Sequence, residues 1–559
     1  VSTQFDTPAP KALNQLLSEL RRDSGAALAA REVPANPNAN LNASSDSNRA
    51  AATSNVLDSD NSSSGNQVTG IAYDSRHVEP GNAFFSIEGY TVDGNKFINQ
   101  AIEKGASVIF SEKESGPYSV PLIVVKDVRT AIAAVSSEIF DTPSQKLRLL
   151  GVTGTNGKTT TTHLIEQILN ANGQPTGLIG TLGARIPSFK DGKYLGESEY
   201  LDVKHTTPQA SDLQALLYTM ANRGVKQIAM EVSSHALALK RVFGCHFAAA
   251  CLSNVTQDHL DFHKTMEHYW QSKRQLFEML GKSAVQPRTA AINLDDELAP
   301  EFIKATAKDI NLITYGYSEK ASIHVKKGNF DFSGMKLTLA TPSGVISFST
   351  KLTGRFNLYN IMAAMAVCMG EGLEKEAIAE ALVDFSGVSG RFEVVPPPPH
   401  LAAQDRSPLC IVDYAHTPDG LENVLKAARA LVPEDGKLIA VFGCGGDRDS
   451  SKRPQMGEIA ENLADEVVVT SDNPRSEDPQ QIIADILTGI KRLKGVTVEV
   501  DRARAIESAV LAASPKDVIV VAGKGHETYQ ILKDSTIDFD DRKEVAKALE
   551  QRFKTLKSK

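Results

Sequence analysis

The stretch Gly151-Val-Thr-Gly-Thr-Asn-Gly-Lys-Thr-Thr160 decides how this chain is read. A short apolar run over 147–150 precedes it and reads as a strand. Behind it, Leu164, Ile165, Ile168 and Leu169 fall on one helical face. Strand, glycine-rich turn and helix make the layout of a phosphate-binding loop. Backbone N–H groups and the helix N-terminus cradle phosphate, Lys158 neutralises charge, and Thr159 can hold Mg²⁺. The usual spacing places a glycine at position 152. This chain has Val152 there, so the motif is a variant.

The chain has 559 residues, enough for about three to four domains. At 41% apolar and 23% charged residues the composition is that of a soluble globular protein. A net charge of −8 removes the electrostatic case for general nucleic-acid binding. Cys245, Cys251, Cys368, Cys410 and Cys444 contain no C-x-x-C pair and are odd in number, which reads as reduced thiols. No apolar run reaches membrane-spanning length, and the first residues lack the apolar core of a signal peptide. A cytoplasmic protein with no membrane contact is expected.

Four regions follow from the pattern. Residues 1–66 are dominated by Asn, Ser, Ala and Asp after a short helical stretch over 13–20. They read as a disordered polar arm, either a linker or a docking tail for a protein partner. Residues 67–144 read as a small α/β domain, with strands over 83–87, 107–110 and 122–125 and a helix over 128–140. Residues 145–388 open with the phosphate loop. Their apolar runs over 227–230, 247–252 and 289–292 alternate with helical patterns, which predicts a mostly parallel sheet. Residues 389–559 contain buried strands over 438–442, 466–470 and 517–521 and read as a Rossmann-like, doubly wound domain. Ligands of such a domain sit beyond the C-terminal strand ends. Those ends carry Gly443-Cys-Gly-Gly-Asp-Arg448, Ser471-Asp-Asn-Pro-Arg475 and Ala522-Gly-Lys-Gly-His-Glu527. The proline run at 396–399 and the polar segment after it read as a surface loop.

Several residues invite chemistry. Glu231 lies just past a strand, in Met230-Glu-Val-Ser-Ser-His235, where an acid can hold Mg²⁺ directly or through water. Asp258, His259, Asp261 and His263 are dense in ligand types. The same residues also suit a polar loop with helix-capping aspartates, and their spacing is not a zinc signature. Lys273 sits in a helical stretch and, read alone, is a solvated face residue. His416, among Asp413, Tyr414 and Asp419, is a base or a substrate contact.

Taken in order, Asp74-Ser-Arg76, Gly154-Thr-Asn-Gly-Lys-Thr159, Thr206-Thr-Pro208, Glu231-Val-Ser-Ser-His235, Asp258-His-Leu-Asp261 and Gly354-Arg-Phe-Asn357 with Asn360 form a series. It continues through Gly390-Arg391, Asp413-Tyr-Ala-His416, Gly445-Gly-Asp-Arg448, Asp472-Asn-Pro-Arg475 and Gly523-Lys-Gly-His-Glu527. The series resembles the Mur ligases of peptidoglycan synthesis, specifically the MurE type, over residues 67–559. The resemblance implies three domains: UDP-sugar-binding, central ATP-binding and C-terminal amino-acid-binding. It implies an ATP-dependent amide ligase that adds meso-diaminopimelate to UDP-MurNAc-L-Ala-D-Glu through an acyl phosphate.

Site residues carry over by position. Gly154, Thr155, Asn156, Gly157, Lys158, Thr159 and Thr160, with Asn293, Asn357, Asn360 and Arg391, are implied to bind ATP. Ser75, Thr206, Thr207, Ser233 and Arg241 are implied to bind the UDP-linked muramoyl peptide. Arg448, Asp472, Asn473, Arg475, Gly523 and Glu527 are implied to bind diaminopimelate, whose extra carboxylate suits arginine. Two Mg²⁺ ions are implied at Thr159, Glu231, His259 and Lys273, with Lys273 carbamylated by CO₂. Lys158, Lys273 and His416 are the implied catalytic residues, acting in a monomer.

The 66-residue arm and the long loop over 396–406 depart from the usual bacterial pattern. Plastid relatives of the family often carry N-terminal extensions, and some resemble structural partners of the plastid transcription machinery. A non-catalytic or moonlighting subunit of a plastid transcription complex, in the stroma, is therefore the alternative. Asp472-Asn-Pro-Arg475 and Asp74-Ser-Arg76 argue against a third candidate, a folylpolyglutamate synthase.

Overall fold

The computed structural model describes residues 5–24, 31–33, 35, 67–89, 92–331, 334–397, 407–492 and 494–557. Their principal sheets have five, eleven and six strands and build a three-domain α/β fold.

The first sheet runs Arg31–Val33, Leu122–Val124, Val108–Ser111, Asn82–Phe85, Gly70–Ala72. All of its pairings are parallel except that of Arg31–Val33. Phe85 and Phe110 stack at 4.4 Å inside it. Against the same core packs a helix, Leu13–Ser24, through the buried Leu13, Leu16 and Leu17. These residues, with strand Lys11–Ala12 paired to Gln67–Val68, correct the expectation of a disordered arm over 1–66. The physical reason is local. Leucines at i, i+3 and i+4 form one apolar stripe, and each contributes about 1.5–3 kcal/mol when buried. Averaging composition over the whole stretch hides that stripe. Residues 1–4, 25–30, 34 and 36–66 of the arm expected to be a linker or docking tail lie outside the described residues, as do residues 398–406 of the expected surface loop.

The central sheet has seven parallel strands in the order Thr176–Gly180, Gln227–Glu231, Arg148–Thr153, Phe247–Leu252, Thr289–Asn293, Asn311–Gly316, Ile323–Asp331. Both faces are covered, which is why these strands read as unbroken apolar runs. Helices Lys158–Ala171 and Arg355–Gly370 cover one face; Ala363, Ala364 and Ala366 let the second lie close. Antiparallel strands extend both edges. Gly183–Lys190 and Lys193–Leu201 form a hairpin on one side. Gly334–Thr341 and Gly344–Thr350 continue the other. The largely exposed, polar Lys193–Leu201 carries little apolar signal, so the sequence predicts only the parallel part.

The third sheet runs Glu393–Val395, Leu409–Asp413, Val518–Ala522, Leu438–Phe442, Glu466–Val469, Val496–Val498, parallel except at Glu393–Val395. It is doubly wound, with core on both faces. Parallel strands align their C-terminal ends, so the loops 443–448, 471–475 and 523–527 emerge on one edge. No helix among the described residues is long and apolar enough to cross a membrane.

Leu16→Ala tests whether the N-terminal helix is part of the first domain's core. We expect a loss of about 2–5 kcal/mol in urea unfolding of that domain. A loss within about 0.5 kcal/mol, the range of surface substitutions, would detach the helix from the core.

Candidate active site

The strand before the phosphate loop is longer than the sequence predicts. It spans Arg148–Thr153, so Gly151 and Val152 belong to the strand and not to the turn. Val152 is fully buried in the core. A Cβ on Gly151 would lie 2.8 Å from the Phe247 ring, which explains the glycine by packing. The turn proper is residues 154–157, and the helix begins at Lys158. Gly154 has φ +146°, and its added Cβ would stand 1.9 Å from Ser253 Oγ. Gly157 has φ +85°, with an added Cβ 2.3 Å from Asn360 Oδ1. Asn254 braces the turn: its carbonyl accepts from Thr155 N at 2.8 Å and its side-chain oxygen from Asn156 N at 3.0 Å.

Lys158 Nζ donates to the carbonyls of Gly154 and Thr155 at 3.0 and 2.8 Å. Lys273 Nζ donates to the same Gly154 carbonyl at 2.7 Å and lies 4.3 Å from the Tyr269 ring centre. Lys273 is 1% exposed, so the solvated-face reading of this residue does not hold. Burial, reinforced by the charge of Lys158, pushes its pKa well below the usual lysine value. Thr159 Oγ1 donates to Glu231 Oε2 at 3.1 Å, and Arg391 Nη2 reaches Thr159 Oγ1 at 3.3 Å. Thr160 is buried in the same helical turn. His259 lies beside Asp258 at 3.3 Å, its ring 4.7 Å from that of His235. Burial lowers its pKa to about 4, with His235, Lys158 and Lys273 adding to the effect against the pull of Asp258. The neutral imidazole that results is the metal-ligating form. Among the described residues His259 makes no hydrogen bond to Thr159, Glu231 or Lys273. Nor does any cluster of three or more His, Cys, Asp and Glu side chains there suit a metal ion.

The remaining central residues form a shell. Asn293 donates to the Ser253 carbonyl at 2.8 Å. Asn357 donates to Thr353, and Asn360 to Asn357 Oδ1 at 3.0 Å, on a helix packed against Lys158–Ala171. Thr207 Oγ1 donates to the Glu231 carbonyl at 2.8 Å and accepts from Ser233 N at 3.1 Å. Thr206 Oγ1 meets Thr181 Oγ1 at 3.2 Å. Arg241 donates to the Thr207 carbonyl at 3.0 Å. Among the described residues the buried Nε atoms of Arg241 and Arg391 have no hydrogen-bond partner, which suits arginines that bind an anion. Ser75 stays within the first domain, donating to Gln100 at 2.7 Å.

In the third domain, Asn473 Nδ2 donates to Glu527 Oε2 at 2.9 Å. Asp472 is buried, and a Cβ on Gly523 would meet its carboxylate at 2.5 Å. Arg475, at φ +53°, donates to the Gly446 carbonyl at 2.7 Å. Arg448 is exposed and contacts the Asp447 carbonyl at 3.3 Å. His416 Nδ1 lies 2.9 Å from the Tyr414 carbonyl. A carbonyl only accepts, so Nδ1 carries the proton and Nε2 keeps its lone pair.

Sequence reasoning passed over Thr181, whose N–H and hydroxyl both donate to Glu231 at 2.8 and 3.2 Å. It also passed over Asn254, Tyr269 and Asp419. Asp419 accepts from Asn156 and, at 3.0 Å, from Thr256, so it ties the third domain to the phosphate loop. Tyr414 lies under Arg391, 4.5 Å from its guanidinium carbon. Thr181 and Asn254 are loop residues, while Tyr269 and Asp419 sit on helices Met266–Gly281 and Pro418–Arg429, and no spacing rule marks these four.

Family models match three successive segments between residues 67 and 525. The model of the Mur ligase family catalytic domain matches residues 67–139, the Mur ligase middle domain 152–368, and the Mur ligase glutamate ligase domain 390–525. Such a series defines an ATP-dependent ligase that forms carbon–nitrogen bonds. The chain belongs to the Mur ligase family. It is similar to the UDP-N-acetylmuramoyl-L-alanyl-D-glutamate--2,6-diaminopimelate ligase of Gloeobacter violaceus, 48% identical over 487 residues, 87% of this chain and 94% of that protein. The enzyme of the same name from Geobacillus thermodenitrificans is 44% identical over 488 residues, 87% and 95% of the two chains. A solved structure of that name superposes with TM-score 0.63 at 33% identity, covering 89% of this chain and 98% of its own. The MurF ligase of Thermotoga maritima, solved with ADP, shares the fold at 17% identity and TM-score 0.56, covering 87% and 98%.

Gly157→Ala would put a side chain into a left-handed turn and against Asn360. ADP affinity, read by calorimetric titration, should fall about tenfold or more. Unchanged affinity would mean that the turn is not held as described.

Proposed function

We propose that this chain uses ATP to join meso-diaminopimelate to UDP-N-acetylmuramoyl-L-alanyl-D-glutamate, through an acyl phosphate, in building peptidoglycan precursor. One observation carries the reading. A phosphate cradle at residues 154–159 and a half-buried acid-and-arginine site at 471–475 and 523–527 share one chain, and relatives 44–48% identical to it are named for this reaction.

The chemistry begins with a charge problem. A carboxylate must approach a γ-phosphate of the same sign, so cations and oriented N–H groups must offset the repulsion. Lys158, Arg391 and the N-terminus of helix Lys158–Ala171 supply them, while Asn156, Asn293, Asn357 and Asn360 frame the nucleotide. Arg241, with Thr206, Thr207 and Ser233, orients the peptide carboxylate, and Ser75 holds the UDP end. The carboxylate oxygen attacks the γ-phosphorus and ADP leaves. The amine then attacks the acyl carbon, a tetrahedral intermediate forms, and inorganic phosphate departs. His416 Nε2 accepts the amine proton.

Mg²⁺ fits the donor set: the Thr159 hydroxyl and Glu231 carboxylate lie 3.1 Å apart and are the oxygen donors that this ion prefers. Mg²⁺ bound there would supply positive charge that offsets the carboxylate–phosphate repulsion. Thr159, Glu231, His259 and a carbamylated Lys273 would hold two such ions. Lys273 is suited to carbamylation because burial favours its neutral amine, which adds to CO₂ and releases a proton. Arg475 and Arg448 receive the second carboxylate of diaminopimelate, and Asp472, Asn473, Gly523 and Glu527 its ammonium end. All these groups lie in one chain, so a monomer suffices. Five buried free thiols suit a reducing, cytoplasm-type compartment. The reported relatives lend nothing to a non-catalytic plastid subunit.

Phosphate release with UDP-muramoyl-dipeptide, ATP and Mg²⁺ should depend on meso-diaminopimelate. L-Lysine should be selected against by about thirtyfold or more in kcat/KM, because it leaves the half-buried Arg475 without a carboxylate partner. Equal use of lysine would contradict the assignment of amino acid. Lys273→Ala should lower kcat by roughly a hundredfold. Added formate or acetate should restore part of it by replacing the missing anion. Full activity without a rescue agent would remove Lys273 from the metal site.

A further inference from the structure

Lys524 is fully buried, with 0% of its side chain exposed, at the heart of the third-domain site. Its Nζ donates to Asn473 Oδ1 at 3.0 Å and to Glu527 Oε2 at 3.1 Å, and stands 3.9 Å from Asp472 Oδ1. Asn473 Oδ1 also accepts from Ile531 N at 2.9 Å. The Asn473 amide is therefore locked, oxygen toward Lys524 and nitrogen toward Glu527. One ammonium thus ties the loop after Glu466–Val469 to the loop after Val518–Ala522, two strands that are not neighbours in the sheet.

The charges follow from this geometry. Glu527 Oε2 already receives two protein donors, from Asn473 and Lys524. Asp472 touches Lys524 only at 3.9 Å, so its carboxylate keeps acceptor capacity for an incoming ammonium. Asp472 and Glu527 carry two negative charges; Lys524 and Arg475 carry two positive ones. Such a pocket matches a zwitterionic end group, with ammonium on Asp472 and carboxylate on Arg475. A ligand ending in a bare ammonium would leave the arginine unpaired.

We propose that Lys524 is a specificity-determining positioning residue: it locks Asn473 and Glu527 and neutralises Glu527, so that the site selects a zwitterionic amino-acid end over a cationic one. This rests on the diaminopimelate reading above. It gives Lys524 no contact with the reacting atoms.

The test is Lys524→Met in the full chain, with KM and kcat determined separately for ATP, the UDP-linked peptide and diaminopimelate, and with L-lysine as competing amine. The KM for diaminopimelate should rise about tenfold or more, while those for ATP and the UDP-linked peptide change less than about twofold. The preference for diaminopimelate over L-lysine should fall by about tenfold, because Glu527 regains a full negative charge that welcomes lysine's ammonium. An unchanged preference, or three KM values shifting together, would overturn the proposal and leave Lys524 a structural residue. If that variant does not fold, Lys524→Gln removes only the lysine charge, leaves Glu527 fully charged and keeps a hydrogen bond. It should still lose preference through the diaminopimelate KM alone, and retained preference would overturn the proposal equally. A wild-type protein with no diaminopimelate-dependent phosphate release would fail the underlying reading instead, so the two failures are distinct.

Discussion

The carbonyl oxygen of Gly154 accepts hydrogen bonds from two amines, Lys158 at 3.0 Å and Lys273 at 2.7 Å. Two ammonium groups sharing one acceptor repel, and burial removes the water that would screen them. The more buried partner, Lys273, resolves the conflict by favouring its neutral form. The turn that presents this carbonyl exists only because residue 154 lacks a side chain: a Cβ would overlap Ser253 at 1.9 Å. Ser253 and Asn254 follow strand Phe247–Leu252, so the loop's shape depends on the register of the central sheet. The chemistry of both lysines depends on that register in turn.

The same principle of shared strand ends organises the third domain. Parallel pairing of Leu438–Phe442, Glu466–Val469 and Val518–Ala522 delivers three loops to one edge. Behind them, the fully buried pair Arg502 and Asp541 anchors the platform, with Arg502 Nη2 donating to the Ala522 carbonyl at 3.0 Å. Removing one member of such a pair leaves a buried charge uncompensated, which costs about 3–5 kcal/mol. Arg391 and Asp419 then join this domain to the phosphate loop, through Thr159 and Asn156.

Much of this was legible in the sequence. The apolar runs at 247–252, 289–292 and 438–442 are strands because both of their faces are buried. Glycines 154 and 157 read correctly as a turn. Val152 looked like a departure from the usual loop because periodicity places strand ends poorly; it is an ordinary core residue of a strand that runs to Thr153. The short helix expected over 13–20 is there as Leu13–Ser24, but its place in the first domain's core was obscured by polar surroundings, and the antiparallel edges by exposed strands that carry little apolar pattern.

By itself, the sequence determined the reaction class and the order of the three domains, because motif residues, turn glycines and strand periodicity are local properties. Only tertiary structure decided which groups share a neighbourhood. Lys273 meets Gly154 across 119 residues, and Lys524 meets Asn473 across 51. Burial and Coulomb coupling act through space, so a helical lysine becomes a low-pKa amine, and a loop lysine a fixed internal charge, only once the chain has closed around them.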